Sequence, residues 1–185
     1  MKTCLFGGSF DPIHAGHLAI AEAAVECAGL DCVVFLPAAC SPFKTGKTAC
    51  FSPEQRLDML YRATQNLPWA TVSDLDLILP PPSWSWRIVE VWRQQHPQDE
   101  LYWLMGTDQW EQLHKWARYD YLTEHLHFIV YHRDTPPQPR DGVRATFISG
   151  SHPASSSAIR QALQSNGHFP QDWVPQGLGQ YPQPH

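Results

Sequence analysis

At 185 residues the chain is long enough to bury a hydrophobic core, and its length favours a single domain. Its 13 lysines and arginines against 18 aspartates and glutamates give a net charge of −5, a poor balance for a protein that holds nucleic acid by neutralising phosphates. No run of about 18 apolar residues is present and no signal-peptide pattern opens the chain, so we expect no membrane partner and no secretion.

Cysteine usage favours a reducing compartment. The chain has five cysteines, all near its start, at Cys4, Cys27, Cys32, Cys40 and Cys50. Their number is odd and no pair has the C-x-x-C spacing of zinc sites. We therefore expect reduced thiols in a cytoplasmic protein rather than disulfides or a structural metal.

Apolar runs of strand length alternate with amphipathic segments of helix length. Strands are predicted at residues 2–6, 32–37, 101–106, 127–132 and 145–149, and residues 71–79 are expected to be extended. Helices are predicted at residues 16–28, 53–65, 86–95, 119–125 and 156–164. The alternation predicts an α/β fold, a doubly wound parallel sheet with helices on both faces, which binds ligands beyond the carboxyl ends of its strands.

Two local signals refine this outline. Ser52, followed by Pro53 and then by Gln55, has the spacing of a capping box at the start of the second predicted helix. The end of the chain, residues 169–185, is rich in proline and glutamine. We expect it to be a loosely held tail after a main domain of residues 1–168.

The first predicted strand leads into a concentration of glycine, proline and histidine, in the stretch CLFGGSFDPIHAGHLAIAEAA. Gly7 and Gly8 are expected to turn the chain and to let a ligand approach the backbone. His14 and His17 then flank Gly16 at a helix start, where free N–H groups and the helix dipole favour phosphate. Imidazoles there can donate to phosphate oxygens in either charge state. A His-x-x-His metal site and two unrelated surface histidines are the alternatives.

The segment GGSFDPIHAGHL resembles the G-x-F-x-P-x-H-x-G-H signature of the nucleotidyltransferases that transfer a nucleotidyl group from a nucleoside triphosphate. The resemblance implies a Rossmann-like fold. It also implies that His14 and His17 stabilise the triphosphate around its α-phosphorus. By the same resemblance the ATP site includes the other residues of this segment, Gly7, Gly8, Ser9, Phe10 and Gly16.

Three serines precede the last predicted helix, in the stretch ASSSAIRQAL. One of them can cap the helix, while the other hydroxyls and the forked donors of Arg160 suit an anion. Ordinary capping beside a surface arginine is the alternative. The stretch resembles the I-S-S-T-x-I-R motif of the same superfamily, with Ala154 at the isoleucine and Ser157 at the threonine. The resemblance implies that Ser155, Ser156 and Arg160 bind ATP phosphates.

The stretch GTDQWEQLHKWARYDYL resembles the G-x-D and W-x-x-x-x-x-L pattern of nicotinate-mononucleotide adenylyltransferases, through Gly106, Asp108, Trp116 and Leu122. The resemblance implies that Gly106 and Asp108 contact the nucleotides and that Trp116 stacks on the pyridine ring. An electron-poor pyridinium face matches the electron-rich face of an indole. A core role is the alternative for Trp116, although its polar neighbours argue against full burial.

The residues after Trp116 are expected to choose between acid and amide substrates. With the pyridine ring on the indole, the N–H groups of Ala117 and Arg118 can donate to a carboxylate, and the Arg118 side chain adds positive charge nearby. An amide would bring its NH₂ to those donors. We therefore expect nicotinate mononucleotide to be preferred over nicotinamide mononucleotide.

Two further stretches correspond to the family with substitutions. PSWSWRIVEVWR corresponds to an S-Y-T stretch, with Trp84 for the tyrosine and Ser85 for the threonine. LPAACSPFK corresponds to P-x-x-x-P-P-H-K, with Phe43 for the histidine and with Lys44 retained. Ser85 and Lys44 are accordingly expected to bind the acceptor nucleotide.

The resemblance as a whole implies adenylyl transfer from ATP to nicotinate mononucleotide, a step of NAD biosynthesis, with His14, His17 and Arg160 as the catalytic residues. No carboxylate cluster predicts a metal site on the protein, so Mg²⁺ is expected to arrive with ATP. Phosphopantetheine adenylyltransferase activity and a catalytically silent pyridine-nucleotide-binding module are the alternatives. The sequence leaves a homo-oligomer open.

Overall fold

The computed structural model describes residues 1–39, 49–165 and 167–184. Within these residues one sheet has six parallel strands in the order β3-β2-β1-β4-β5-β6. The strands are β1 (Lys2–Gly8), β2 (Cys32–Pro37), β3 (Ala70–Val72), β4 (Glu100–Gly106), β5 (His127–His132) and β6 (Ala145–Ser149). The predicted parallel α/β sheet is confirmed, and its order reverses between β1 and β4, which is where such folds bind ligands.

Helices connect successive strands from β1 to β5, a loop without a helix connects β5 to β6, and the helices cover both faces of the sheet. They are α1 (Ala15–Ala28), α2 (Pro53–Thr64), α3 (Leu75–Ile78), α4 (Ser85–Gln95), α5 (Thr107–Gln112), α6 (Tyr119–His125) and α7 (Ser156–Gln164), with 3₁₀ turns at Leu113–Lys115 and Gln171–Trp173. The predicted capping box is confirmed at α2, because Ser52 Oγ accepts from Gln55 N–H and Gln55 Oε1 accepts from Ser52 N–H.

Two apolar clusters lie one on each face of the sheet, as a doubly wound fold requires. Cys4 and Phe6 of β1 point into the cluster that α1, α2 and α7 cover, whereas Leu5 points into the cluster beneath α3 to α6. This alternation follows from the pleat of a strand that is buried on both faces. Each fully buried large apolar side chain stabilises the fold by about 1.5–3 kcal/mol.

Residues 71–79 are not extended throughout, so this part of the prediction is wrong. β3 ends at Val72 and α3 begins at Leu75. The hydroxyl of Ser73 accepts from the N–H of Leu75, and such a local side-chain bond turns the chain out of the sheet. The short α5 is a second helix that the apolar pattern did not indicate.

The expectation of a loosely held tail is also wrong. Val174, Leu178 and Tyr181 are buried in the first apolar cluster, and the Leu178 carbonyl accepts from Arg62 Nη2 at 2.8 Å. Proline and glutamine dominate the composition of the tail, but its few apolar residues fall where they meet α1 and α2. The tail is therefore part of the packed structure.

Two other features concern the predictions from composition. Four cysteines are free thiols, namely Cys4, Cys27, Cys32 and Cys50, and Cys40 lies outside the described residues. In the described ranges no helix combines the length and apolarity that a bilayer crossing requires.

Candidate active site

Two predicted phosphate-binding segments, residues 7–17 (the first corner) and residues 155–160 (the second corner), meet at the carboxyl edge of the sheet. Arg160 Nη1 donates to the carbonyl of Asp11 at 2.5 Å, and Ser156 Oγ donates to the carbonyl of Pro12 at 2.9 Å. These bonds tie the start of α7 to the loop that precedes His14. The Arg160 guanidinium is about a third exposed and its Nη2 also contacts Ser157 Oγ. A planar group with five N–H donors keeps further donors for an anion.

His14 and His17 form a compact pair at the N-terminus of α1. The N–H of His14 donates to Nδ1 of His17 at 3.2 Å, and the ring centroids are 3.7 Å apart. Because Nδ1 of His17 accepts, the proton of a neutral ring is assigned to Nε2. His17 lines the cavity described below, so it can present an N–H donor to a ligand there.

Burial governs the charge of His14. Its side chain is only 7% exposed, and its Nδ1 has no hydrogen-bond partner within the part of the chain that the structure describes. Burial, with smaller contributions from His152 and Arg133, lowers the pKa of His14 to about 4. The ring is therefore neutral at pH 7 without a ligand, and a phosphate beside it would favour the protonated form.

The glycines of the first corner are required by close packing. β1 continues through Gly8, so the expected turn at Gly7 and Gly8 is wrong, and the chain turns only after β1 ends. A Cβ at Gly7 would lie 3.0 Å from the Trp103 ring, and one at Gly8 would lie 3.0 Å from the Phe10 ring. Phe10 itself has φ +44° and is 2% exposed. Its ring packs edge-on against the imidazole of His17, with the ring centroids 5.1 Å apart.

Gly16 is needed for a similar reason. A Cβ there would lie 3.0 Å from Nδ1 of His14 and 3.2 Å from Nδ1 of His152. The two rings therefore come together across the start of α1. His152 was not among the predicted site residues, and its Nδ1 accepts from the N–H of Ala154 at 3.1 Å.

A cavity of about 280 Å³ opens beside this corner, between β1, β4 and the start of α4. Eight of the predicted site residues line it: Gly7, Gly8, Ser9, Phe10, His17, Ser85, Trp116 and Ala117. Trp116 is buried, contrary to expectation, because its indole packs edge-on against Trp103 with centroids 5.9 Å apart. It thus belongs both to the core and to the cavity wall.

Gly106, Asp108 and Ser155 were also predicted at the site, and they do not line this cavity. Gly106 caps α5 and Asp108 is exposed in the first turn of α5, both at the carboxyl end of β4. Ser155 caps α7, with its Oγ accepting from Ala158 N–H at 3.5 Å. Lys44, together with Phe43, lies outside the described residues.

The Arg118 side chain is held between α4 and α6 and does not line the cavity. Its Nη1 lies 3.1 Å from Glu90 Oε1. Its guanidinium carbon lies 4.6 Å from the ring centroids of both Trp86 and Tyr121. Arg118 is thus clamped between α4 and α6, and its backbone has φ +57°. This clamp fixes the chain that follows Trp116.

Three buried charged residues were missed by the sequence analysis. Asp11 accepts from the N–H groups of Cys50 and Phe51 at 3.0 and 2.9 Å. Arg56, 3% exposed, donates from Nη1 to the carbonyls of Ser9 and Ala38, at the ends of β1 and β2. The sequence gives little indication of these two roles. Asp11 is an aspartate before Pro12, and Arg56 is an arginine on the apolar face of a helix.

Asp76 is the third buried charge and it lines the cavity. Burial raises the pKa of Asp76, and hydrogen bonds from Ser83 and from the backbone of Ala39 offset part of this rise. Asp76 therefore links the end of β2 to the segment before α4. In the described ranges no cluster of three or more histidine, cysteine, aspartate or glutamate side chains is arranged to hold a metal ion.

Comparison with known proteins gives consistent similarities. The sequence profile of the cytidylyltransferase-like family matches residues 5–162. A probable nicotinate-nucleotide adenylyltransferase of Neisseria meningitidis is 35% identical over an alignment that covers 100% of this chain and 96% of that protein. A second one, of Methylacidiphilum infernorum, is 37% identical over 76% of this chain and 69% of its own length.

Solved structures have the same fold. The nicotinic acid mononucleotide adenylyltransferase of Plasmodium falciparum complexed with NaAD has a TM-score of 0.71 at 18% identity, covering 91% of this chain and 87% of that one. The same Plasmodium protein complexed with APC also has a TM-score of 0.71, at 17% identity, with coverages of 96% and 92%.

Proposed function

Because this chain belongs to the cytidylyltransferase-like family, and within it to the nicotinate-nucleotide adenylyltransferases, we propose that it transfers the adenylyl group of ATP to nicotinate mononucleotide. The products are nicotinate adenine dinucleotide and pyrophosphate. The observation that carries the proposal is the joining of the two corners, with Ser156 and Arg160 bonded to the loop that precedes His14. This arrangement brings the cationic and neutral donors for a polyphosphate to one edge of the sheet.

ATP binds, in this proposal, with its triphosphate across the N-termini of α1 and α7. The free N–H groups of both helix ends favour an anion there. Nε2 of His17 donates toward the α-phosphate, His14 binds beside it, and Arg160 neutralises the leaving pyrophosphate. Gly7, Gly8 and the backbone of Ser9 allow close approach of the nucleotide.

Nicotinate mononucleotide occupies the cavity lined by Trp116. Its pyridinium ring stacks on the indole, its carboxylate accepts from the N–H groups of Ala117 and Arg118, and Ser85 contacts it from α4. The volume of about 280 Å³ is close to the lower end of the range of small-molecule pockets, about 300 Å³, which suits half of a dinucleotide.

The chemical step is a displacement at the α-phosphorus of ATP. An oxygen of the mononucleotide 5′-phosphate forms a bond to that phosphorus, and the bond from phosphorus to the oxygen bridging to the β-phosphate breaks. The pyrophosphate leaves with the electron pair. A phosphate is already a nucleophile at pH 7, so the protein aligns two anions and stabilises the charge on the leaving group. Magnesium carried by ATP supplies further neutralisation of the phosphates.

The proposal is tested by pyrophosphate release from ATP and magnesium chloride with three acceptors in parallel. We expect release with nicotinate mononucleotide, with a kcat/KM at least about tenfold above that for nicotinamide mononucleotide, and none with phosphopantetheine. Release with phosphopantetheine alone would indicate the rival adenylyltransferase. No release with any acceptor, together with binding of the mononucleotide, would indicate a silent binding module.

A further inference from the structure

The loop that precedes His14 is held through three consecutive carbonyl groups. Those of Asp11 and Pro12 accept from α7, as described above. The third, that of Ile13, accepts from the hydroxyl of Tyr181 at 2.8 Å, across a sequence separation of 168 residues. Ile13 is fully buried and Tyr181 is 9% exposed. The residue next to the histidine pair is thus anchored by the C-terminal tail.

The tail holds Tyr181 in place independently of this hydrogen bond. The Tyr181 ring centroid lies 6.5 Å from that of Phe51 and 5.8 Å from that of Phe169. On either side of Tyr181 the tail is bonded to α2, where Arg62 Nη2 donates to the Leu178 carbonyl and Gln55 Nε2 donates to the Gln183 carbonyl. The hydroxyl is therefore presented to Ile13 by a prearranged segment.

The hydroxyl has a defined chemical role in this position. Burial raises the pKa of Tyr181, so the phenol stays protonated and acts as a donor. The Ile13 carbonyl is followed directly by His14, whose backbone N–H bonds to His17. A shift of Ile13 would move both imidazoles relative to the bound triphosphate.

We propose that Tyr181 is a positioning residue for the histidine pair, and that the C-terminal tail thereby forms part of the active site through its bond to the Ile13 carbonyl. This inference rests on the proposed adenylyl transfer. It assigns to the tail a function distinct from packing, since the ring contacts persist when only the hydroxyl is removed. Misplacement of catalytic groups by about 1 Å can lower rates by about 10²-fold, so a smaller shift has a measurable effect.

The test compares Tyr181→Phe with Arg62→Met in the full chain. The first variant removes only the hydroxyl, and the second removes a tail anchor that does not contact Ile13. We expect Tyr181→Phe to lower kcat about tenfold with both KM values within about twofold, and Arg62→Met to keep kcat within about twofold. Equal losses of kcat in both variants, or a wild-type kcat in Tyr181→Phe, would overturn the inference.

A second readout does not depend on turnover. The ring ¹H–¹⁵N signals of His14, followed by NMR over a pH titration, should shift in Tyr181→Phe and stay at wild-type positions in Arg62→Met. Unchanged His14 signals in Tyr181→Phe would overturn the inference even if the wild-type enzyme acted on another acceptor. A wild-type protein that turns over no mononucleotide would contradict the proposed function instead, leaving the positioning test intact.

Discussion

The ring centroids of His14 and His17 lie 3.7 Å apart, and the backbone N–H of His14 donates to Nδ1 of His17. This bond orients the His17 ring. It also makes Nδ1 an acceptor, so the proton of a neutral imidazole is on Nε2. One histidine thus fixes the tautomer of the other. The group presented to the cavity is a donor, as a site for phosphate oxygens requires.

The first prediction concerns that donor. His17→Ala should lower kcat by about 10²–10³-fold, since removing one donor to developing charge typically has this effect. His17→Asn should lose as much, because its amide oxygen can replace Nδ1 while no group replaces Nε2. Steady-state rates at saturating ATP check this, and His168→Ala, at an exposed position, is the matched control. Wild-type kcat in either His17 variant would exclude the phosphate role.

The second prediction is a pH dependence of stability. Unfolded His14 takes up a proton below its ordinary pKa of 6.5, whereas in the folded protein burial delays protonation until about pH 4. The unfolded state therefore binds more protons in this window, and the free energy of unfolding falls as the pH is lowered from 6.5 toward 4. The share of His14 in this loss is on the order of 3 kcal/mol.

Denaturant unfolding of the wild type and of His14→Gln at several pH values measures this share. His125 and His127 also have pKa values lowered by burial, and they titrate equally in both proteins, so the difference isolates His14. We expect the variant to lose less stability across the window. Parallel curves for the two proteins would show that His14 titrates normally.

The third prediction concerns Trp116. Trp116→Leu should raise the KM for nicotinate mononucleotide about tenfold while leaving the KM for ATP within about twofold, because it removes stacking on the pyridine ring. Leucine is preferred to alanine because the indole also packs on Trp103, and a cavity there would destabilise the core. Trp69→Leu, whose indole packs against the apolar cluster on the opposite face of the sheet, is the control. An effect on ATP alone would contradict the stacking assignment.

The fourth prediction separates the backbone of Arg118 from its side chain. Since the guanidinium is paired with Glu90 and packed on Trp86 and Tyr121, Arg118→Gln should leave the ratio of kcat/KM for acid over amide within about twofold. Arg93→Gln removes a neighbouring positive charge on α4 and serves as the control. A ratio that falls toward one only in Arg118→Gln would show that the side chain recognises the carboxylate.

The sequence allowed the sheet and the corners to be predicted because both depend on local patterns. β2, β4 and β5 are continuous apolar runs, as strands covered on both faces must be. The first corner is recognisable since its glycines, Pro12 and histidines follow one another within a short segment. Residues of a site that are neighbours along the chain can be recognised from the sequence alone.

Contacts between distant segments were not predictable in the same way. The bond from Tyr181 to Ile13 and those from Arg56 to Ser9 and Ala38 depend on how complete elements pack. A proline- and glutamine-rich composition therefore suggested a loose tail where the structure has an ordered one. The positive φ of Arg118 was not predictable either. Its side chain is held by contacts with α4 and α6, and no local sequence pattern indicates this conformation.

In the proposed reaction the mononucleotide phosphate attacks the α-phosphorus of ATP at the joined corners. The most direct measurement uses ATP labelled at the α-phosphorus, with nicotinate mononucleotide as the acceptor and chromatographic separation of the products. We predict that all transferred label is recovered in nicotinate adenine dinucleotide and none in pyrophosphate. Label retained in ADP or ATP while the acceptor is consumed, or label in a product without the nicotinate ring, would contradict the proposed reaction.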